Sequence, residues 1–259
     1  MTSSQDTARD GGLRSTRSAL DGRTAVVTGG SGGIGSAIVT AFAARGATVA
    51  VVDTDDRARA VAAEVGGLAV IGDLTDPEVP GRIVEQVTDA TGRLDILVNA
   101  AGIQVRTAAV DITPEDWDRL LAVNLTAAYR LVQAAVQPLA AHHGSITNIV
   151  SLSSDRAVAG IVPYGATKAG LLQLTKGLAV ELGPLGVRVN AVAPGYVVTP
   201  MTAAVLDRQE LRDRVMTRIP LGRLADGGDI ADVVSFLSCD AARYVTGAVL
   251  PVDGGYSIT

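Results

Sequence analysis

The sequence predicts an α/β protein: one doubly wound parallel sheet of about seven strands, with helices on both faces. Three observations carry that expectation. Short apolar runs alternate with longer stretches of helical periodicity from one end of the chain to the other. A glycine-rich turn joins the first such run to the first helix. Hydrophobic residues make up 47% of the 259 while aromatics make up 3%, a mix that suits small-residue helices packed closely on a parallel sheet. No repeat, proline-rich linker or break in pattern divides the chain. Residues 22–259 therefore read as one domain behind a polar, disordered tail at 1–21.

Residues 24–28 form a short apolar strand, and Gly29-Gly30-Ser31-Gly32-Gly33-Ile34-Gly35 leads from it into a helix over 36–45. Gly46 stands where a helix C-terminal cap belongs. The next strand, 47–52, ends on Asp53. Strand, glycine turn, helix, strand and terminal acid make up a dinucleotide-binding unit. Its glycines let the backbone turn tightly against a pyrophosphate, whose charge suits the following helix N-terminus. A carboxylate at Asp53 can accept hydrogen bonds from both adenine-ribose hydroxyls, and it repels a 2′-phosphate. NAD is expected over NADP. Arg57 is the nearest residue able to reverse that preference, and is otherwise a solvated helix charge.

A third strand at 67–72 leads to Asp73-Leu74, and 77–91 carries Ile83, Val84 and Val87 at helical spacing. A fourth, 94–98, leads to Asn99-Ala100-Ala101-Gly102. Thr113 caps a helix that Pro114, Glu115 and Asp116 open well, and that runs, with room for a bend, to about residue 141. Asn124 is the polar exception in its apolar middle, which from the residues alone reads as a hydrogen-bonded core amide. Strand 145–150 delivers Ser151, helix 163–182 follows, and strand 187–193 ends at Pro194-Gly195. A charge-rich insertion at 196–221 is the natural place for a lid, and otherwise a surface excursion. Helix 225–238 and a last strand at 248–252 complete the chain.

Helix 163–182 holds the residues that point to chemistry. Tyr164 and Lys168 stand four apart, one turn above the other on the same face. A free phenol has a pKa near ~10, and a neighbouring ammonium favours its phenolate, bringing the group toward acid–base work. The hydroxyl of Ser151, at the carboxyl end of its strand, can reach the same spot.

Composition narrows the partners. A formal charge of −5 opposes nucleic acid, which needs a basic surface. Cys239 is the only cysteine, so no intrachain disulfide forms and a cytoplasmic setting is expected. No segment is apolar for long enough to span a membrane, and the N-terminus lacks the apolar centre of a signal peptide. A small-molecule substrate is the expected partner.

Taken in order, Thr28-Gly29-Gly30-Ser31-Gly32-Gly33-Ile34-Gly35, Asn99-Ala100-Ala101-Gly102, the set Asn124, Ser151, Tyr164 and Lys168, and Pro194-Gly195 give the chain from about Asp21 onward its family likeness. It resembles the short-chain dehydrogenases/reductases, whose fold is Rossmann-like. The resemblance implies that Tyr164 exchanges a proton with the substrate oxygen and that Lys168 lowers its pKa and holds the nicotinamide ribose. It implies that Ser151 stabilises the substrate oxygen and that Asn124 positions a water relaying protons from Lys168. It also implies cofactor contacts at Gly29, Ser31, Gly33, Ile34, Gly35, Asp73, Leu74, Asn99, Gly102, Pro194, Gly195, Val197 and Thr199, with no metal. Ala100 departs from the second Asn that many members carry. The segments Gly102-Ile103-Gln104-Val105-Arg106 and Pro194-Gly195-Tyr196 are similar to those of sugar-acid dehydrogenases such as gluconate 5-dehydrogenases. Arg106 could there clamp a carboxylate, or be an exposed loop charge, and Tyr196 would adjoin the substrate. The body also resembles 3-oxoacyl-carrier-protein reductases, which usually prefer NADPH. A non-catalytic dinucleotide sensor is the alternative of another kind, and its mark would be loss of part of the active-site set. Family members are commonly homotetramers joined through the two long helices.

Overall fold

The computed structural model of the protein describes residues 19–259. Its seven strands are β1 (Thr24–Thr28), β2 (Thr48–Asp53), β3 (Leu68–Ile71), β4 (Ile96–Asn99), β5 (Ser145–Ile149), β6 (Arg188–Pro194) and β7 (Val249–Val252). They form one sheet in the order β3-β2-β1-β4-β5-β6-β7, parallel throughout. The expected α/β architecture is thus present as a single Rossmann-like domain.

Side-chain alternation along the strands feeds two cores, one on each face. Ala25 and Val27 of β1 pack with Ile38 and Phe42 of α1 (Gly33–Ala43) and with Ile230 and Val234 of α9 (Gly227–Ser238). Α2 (Arg57–Val65) joins that face through Ala58 and Ala62. Val26 points the other way, into a core built with α3 (Val79–Thr91), α5 (Ala127–Ala141) and α6 (Val162–Leu182). Full burial of Phe42, Leu131 and Leu139 stabilises the layers by about 1.5–3 kcal/mol per side chain.

Two boundaries differ from expectation. Residues 1–18 of the expected tail lie outside the described residues, but Leu20 is fully buried in the first core and its N–H donates to Arg45 O at 3.1 Å. The packed domain therefore begins before residue 22, because one apolar side chain in the polar stretch finds a place under α1. The helix expected over 113–141 is three pieces: α4 (Pro114–Leu121), a π-helical turn (Ala122–Thr126) and α5. The expected cap is present, with Thr113 Oγ1 accepting from Asp116 N at 3.1 Å. The π turn inserts its extra residue around Asn124, whose side chain is drawn inward, and such turns gather at functional sites. The insertion at 196–221 folds as two short helices, α7 (Pro200–Leu206) and α8 (Gln209–Met216). No described helix is long and apolar enough to cross a membrane.

Strand order reverses between β1, which leads back to β2, and its other neighbour β4. At their carboxyl ends Thr28 stands in register with Asn99, so the chain exits at Gly29 and Ala100 side by side. This is the crevice where open α/β sheets hold their ligands.

Candidate active site

β5 ends at the same edge and hands the chain to a 3₁₀ turn, Leu152–Ser154, with Ser151 as its N-cap. Ser151 Oγ accepts from Ser153 N at 3.1 Å and from Ser153 Oγ at 3.0 Å, while Ser151 N donates to Ser154 Oγ at 3.1 Å. α6 then presents Tyr164 and Lys168 on one buried face, 8% and 3% exposed. Lys168 Nζ donates to Ile149 O at 2.8 Å and lies 5.8 Å from the centre of the Tyr164 ring. Ser151, Tyr164 and Lys168 line one pocket of about 130 Å³. Three of the four predicted catalytic residues converge there.

The fourth does not open onto it. Asn124 is 1% exposed, its Oδ1 accepts from Ile103 N at 2.8 Å, and its Nδ2 donates to Ile103 O and Thr167 Oγ1. Its amide ties the segment after β4 to α6, the core-amide role read from the residues alone. It remains close: a Cβ on Gly102 would stand 3.4 Å from Asn124 Oδ1 and 3.3 Å from Lys168 Nζ.

Burial works against the expected activation of the phenol. Desolvation pushes the Tyr164 hydroxyl up to about 12, opposed only in part by its hydrogen bond with Ser151. The same burial lowers the Lys168 ammonium to about 8. Helical spacing brings the two together, and burial shifts both groups toward their neutral forms. The phenol therefore carries its proton at neutral pH.

The second cavity, about 840 Å³, follows the crevice from the glycine turn to β3. Gly29, Ser31, Gly33, Ile34 and Gly35 line it, with Asp53, Asp73, Leu74, Gly102 and Thr199 further along. The site's geometry fits a dinucleotide. Gly32 is the N-cap of α1, which has no side-chain cap and no acid in its first turn, leaving backbone N–H groups for an anion. Gly29 holds φ +63°, and a Cβ on Gly35 would fall 2.0 Å from Gly29 O, so the turn closes on itself only with hydrogen there. Asp53 lines the same cavity from the end of β2. Its Oδ2 accepts from Ser31 Oγ at 2.7 Å and Ser31 N at 3.1 Å, and its Oδ1 from Thr54 N at 2.8 Å. Arg57 lines the same cavity but its guanidinium is paired with Asp55 at 2.8 Å.

A family model described as "Enoyl-(Acyl carrier protein) reductase" matches residues 29–257. A 3-oxoacyl-[acyl-carrier-protein] reductase of Thermotoga maritima is 37% identical over 92% of this chain and 99% of its own. A D-threitol dehydrogenase of Mycolicibacterium smegmatis is 37% identical over the whole of both chains. A proposed NAD(P)-dependent gluconate 5-dehydrogenase from Beutenbergia cavernae, solved with NADP at low occupancy, superimposes with a TM-score of 0.89 at 41% identity, over 94% of this chain and all of that one. The chain belongs to the short-chain dehydrogenase/reductase family. It is an NAD(P)-dependent oxidoreductase of that family.

Within this short-chain dehydrogenase, Pro194, Gly195, Tyr196 and Val197 border the smaller pocket rather than the larger, and Thr199 borders both. Asn99 opens onto neither. It is 3% exposed and its Nδ2 donates to Asn148 Oδ1 at 2.8 Å, so its amide braces β4 against β5. Arg106 and Tyr196, the residues tied to substrate by resemblance, face the smaller pocket together. Tyr196 packs edge-on against Tyr256 at 5.2 Å, and burial pushes its hydroxyl up to about 12, with the Arg106 charge acting the other way. Gln104 and Met201 also line this wall and are absent from the site residues expected from the sequence. The signal was available, since both lie just beyond strands that end at the crevice edge. Met201 also borders the larger cavity, so the first helix of the insertion flanks both chambers.

Proposed function

We propose that this enzyme uses NAD(H) to interconvert a secondary alcohol and a ketone on a small polar anion such as a sugar acid. The observation that carries the anion is Arg106. It is exposed, it lines the pocket of Ser151 and Tyr164, and among the described residues no carboxylate pairs with it. A planar guanidinium in that position suits bidentate recognition of a carboxylate. The likeness to the Beutenbergia cavernae chain supports the same substrate class.

When bound, the nicotinamide supplies the hydride acceptor or donor. The chain's residues do the rest. In the reductive direction the Tyr164 phenol gives its proton to the substrate oxygen, while the Ser151 hydroxyl hydrogen-bonds that oxygen as charge develops on it. Lys168, fixed by Ile149 O, keeps positive charge beside the phenol and would hold the ribose hydroxyls. Gly29, Ser31 and Gly33 to Gly35 would hold the pyrophosphate side, and Asp53 the adenosine ribose.

Two variants test this reading. Arg106→Gln is expected to raise KM for sugar acids roughly tenfold, equivalent to about 1.4 kcal/mol, while leaving neutral polyols unaffected. Equal loss on both would remove the carboxylate contact. Preference for NAD rests on Asp53 and on Arg57 being turned onto Asp55. Asp53→Ala is expected to shift the kcat/KM ratio toward NADP by roughly tenfold, and an unchanged ratio would mean another group sets it. The rival activity, reduction of a 3-oxoacyl thioester, is supported by the Thermotoga maritima relative. Turnover of such thioesters above that of every sugar acid in a panel would make it the leading one.

A further inference from the structure

We propose that Ser153 is a positioning residue: it occupies both acceptor sites of the Ser151 hydroxyl, so that the single proton of Ser151 points at the reacting oxygens. The count is simple. A serine oxygen has two lone pairs and one hydrogen. Ser153 fills both lone pairs, one with its backbone N–H at 3.1 Å and one with its own hydroxyl at 3.0 Å. The backbone N–H of Ser151 is held separately by Ser154 Oγ, which locks the turn. The remaining direction belongs to the Ser151 proton, and the pocket that Ser151 lines is the one that Tyr164 and Lys168 line with it. A free serine hydroxyl turns among several directions. This one is preset as a donor before substrate arrives, which lowers the reorganisation that stabilising a developing oxyanion would otherwise need.

Ser153 is itself fixed. It is 6% exposed, lines the same pocket and lies under the first turn of α6, where a Cβ on Gly165 would come within 3.1 Å of Ser153 O. Threonine at this position keeps the hydroxyl and adds one methyl group.

The proposal rests on Ser151 and Tyr164 being the catalytic pair, so Ser151→Ala is run beside Ser153→Ala and Ser153→Thr. The readouts are kcat, KM, NADH affinity by fluorescence titration and the pH profile of alcohol oxidation. Ser153→Ala is expected to lower kcat roughly tenfold with KM and NADH affinity unchanged. Its oxidation profile should move to higher pH, because a less firmly aimed Ser151 donor stabilises the phenolate less. Ser153→Thr should restore most of the rate and the profile. A silent Ser151→Ala would sink the catalytic pair itself. An inactive Ser151→Ala beside a wild-type Ser153→Ala would overturn the positioning role alone. So would equal loss in Ser153→Ala and Ser153→Thr with an unmoved profile, which marks a purely structural contact.

Discussion

Replacing Tyr164 by Phe is expected to cut turnover by about 10²–10⁴-fold, the usual contribution of a positioned acid or base, while NADH affinity changes little. The side chain is nearly buried, so Phe keeps its packing and loses only the hydroxyl. Burial raises the phenol to about 12, so the wild-type group carries its proton at neutral pH. The sign follows: ketone reduction, which consumes that proton, runs at neutral pH, and alcohol oxidation, which needs the phenolate, rises as the medium becomes alkaline. Steady-state rates in both directions, set beside an NADH titration, check the prediction. Undiminished turnover in the Phe variant would remove Tyr164 from the chemistry and revive the non-catalytic sensor.

Gly35→Ala is expected to act on fold and cofactor together. Its new methyl would fall 2.0 Å from Gly29 O and 3.0 Å from Gly30 Cα, both backbone atoms with nowhere to go. Overpacking of this kind costs about 3 kcal/mol or more, which lowers Tm by about 6–12 °C for a domain of this size. Because the atoms displaced are those of the glycine turn, NADH binding should be lost with the stability. Gly81, in α3, has nothing within 4 Å of a Cβ and is the control. There Ala should stabilise by about 0.5–1 kcal/mol through helix propensity. Thermal melts of the two variants with an NADH titration decide the matter, and a Gly35→Ala protein that melts and binds like wild type would show that the turn can open.

The legible parts of this chain were those written in short-range spacing. The glycine turn, Asp53 at the end of β2 and the Tyr164–Lys168 interval each encode a local geometry that the fold then keeps. Spacing says which groups meet and is silent on how much water they keep, so the direction of the Tyr164 shift was missed. A π turn adds one residue to a helix without breaking its apolar periodicity, which hid the turn at Asn124. Asn99 matched a motif, yet its partner Asn148 lies on the neighbouring strand, 49 residues away in sequence. Leu20 was a lone apolar residue among polar ones, and only the three-dimensional packing shows where it goes.

The strand order also sets an order of assembly. β3, β2, β1 and β4 are neighbours in space and are all synthesised by Asn99, so the nucleotide half of the sheet can form while Ser151, Tyr164 and Lys168 are still unmade. Until β5 arrives, β4 carries an open row of backbone donors and acceptors. That half-built sheet is the species most exposed to misassociation as the chain leaves the ribosome. β5 covers that edge and α6 follows, and the active site is completed later still, when the end of β6 and the chain after it bring Pro194 to Val197 to the pocket.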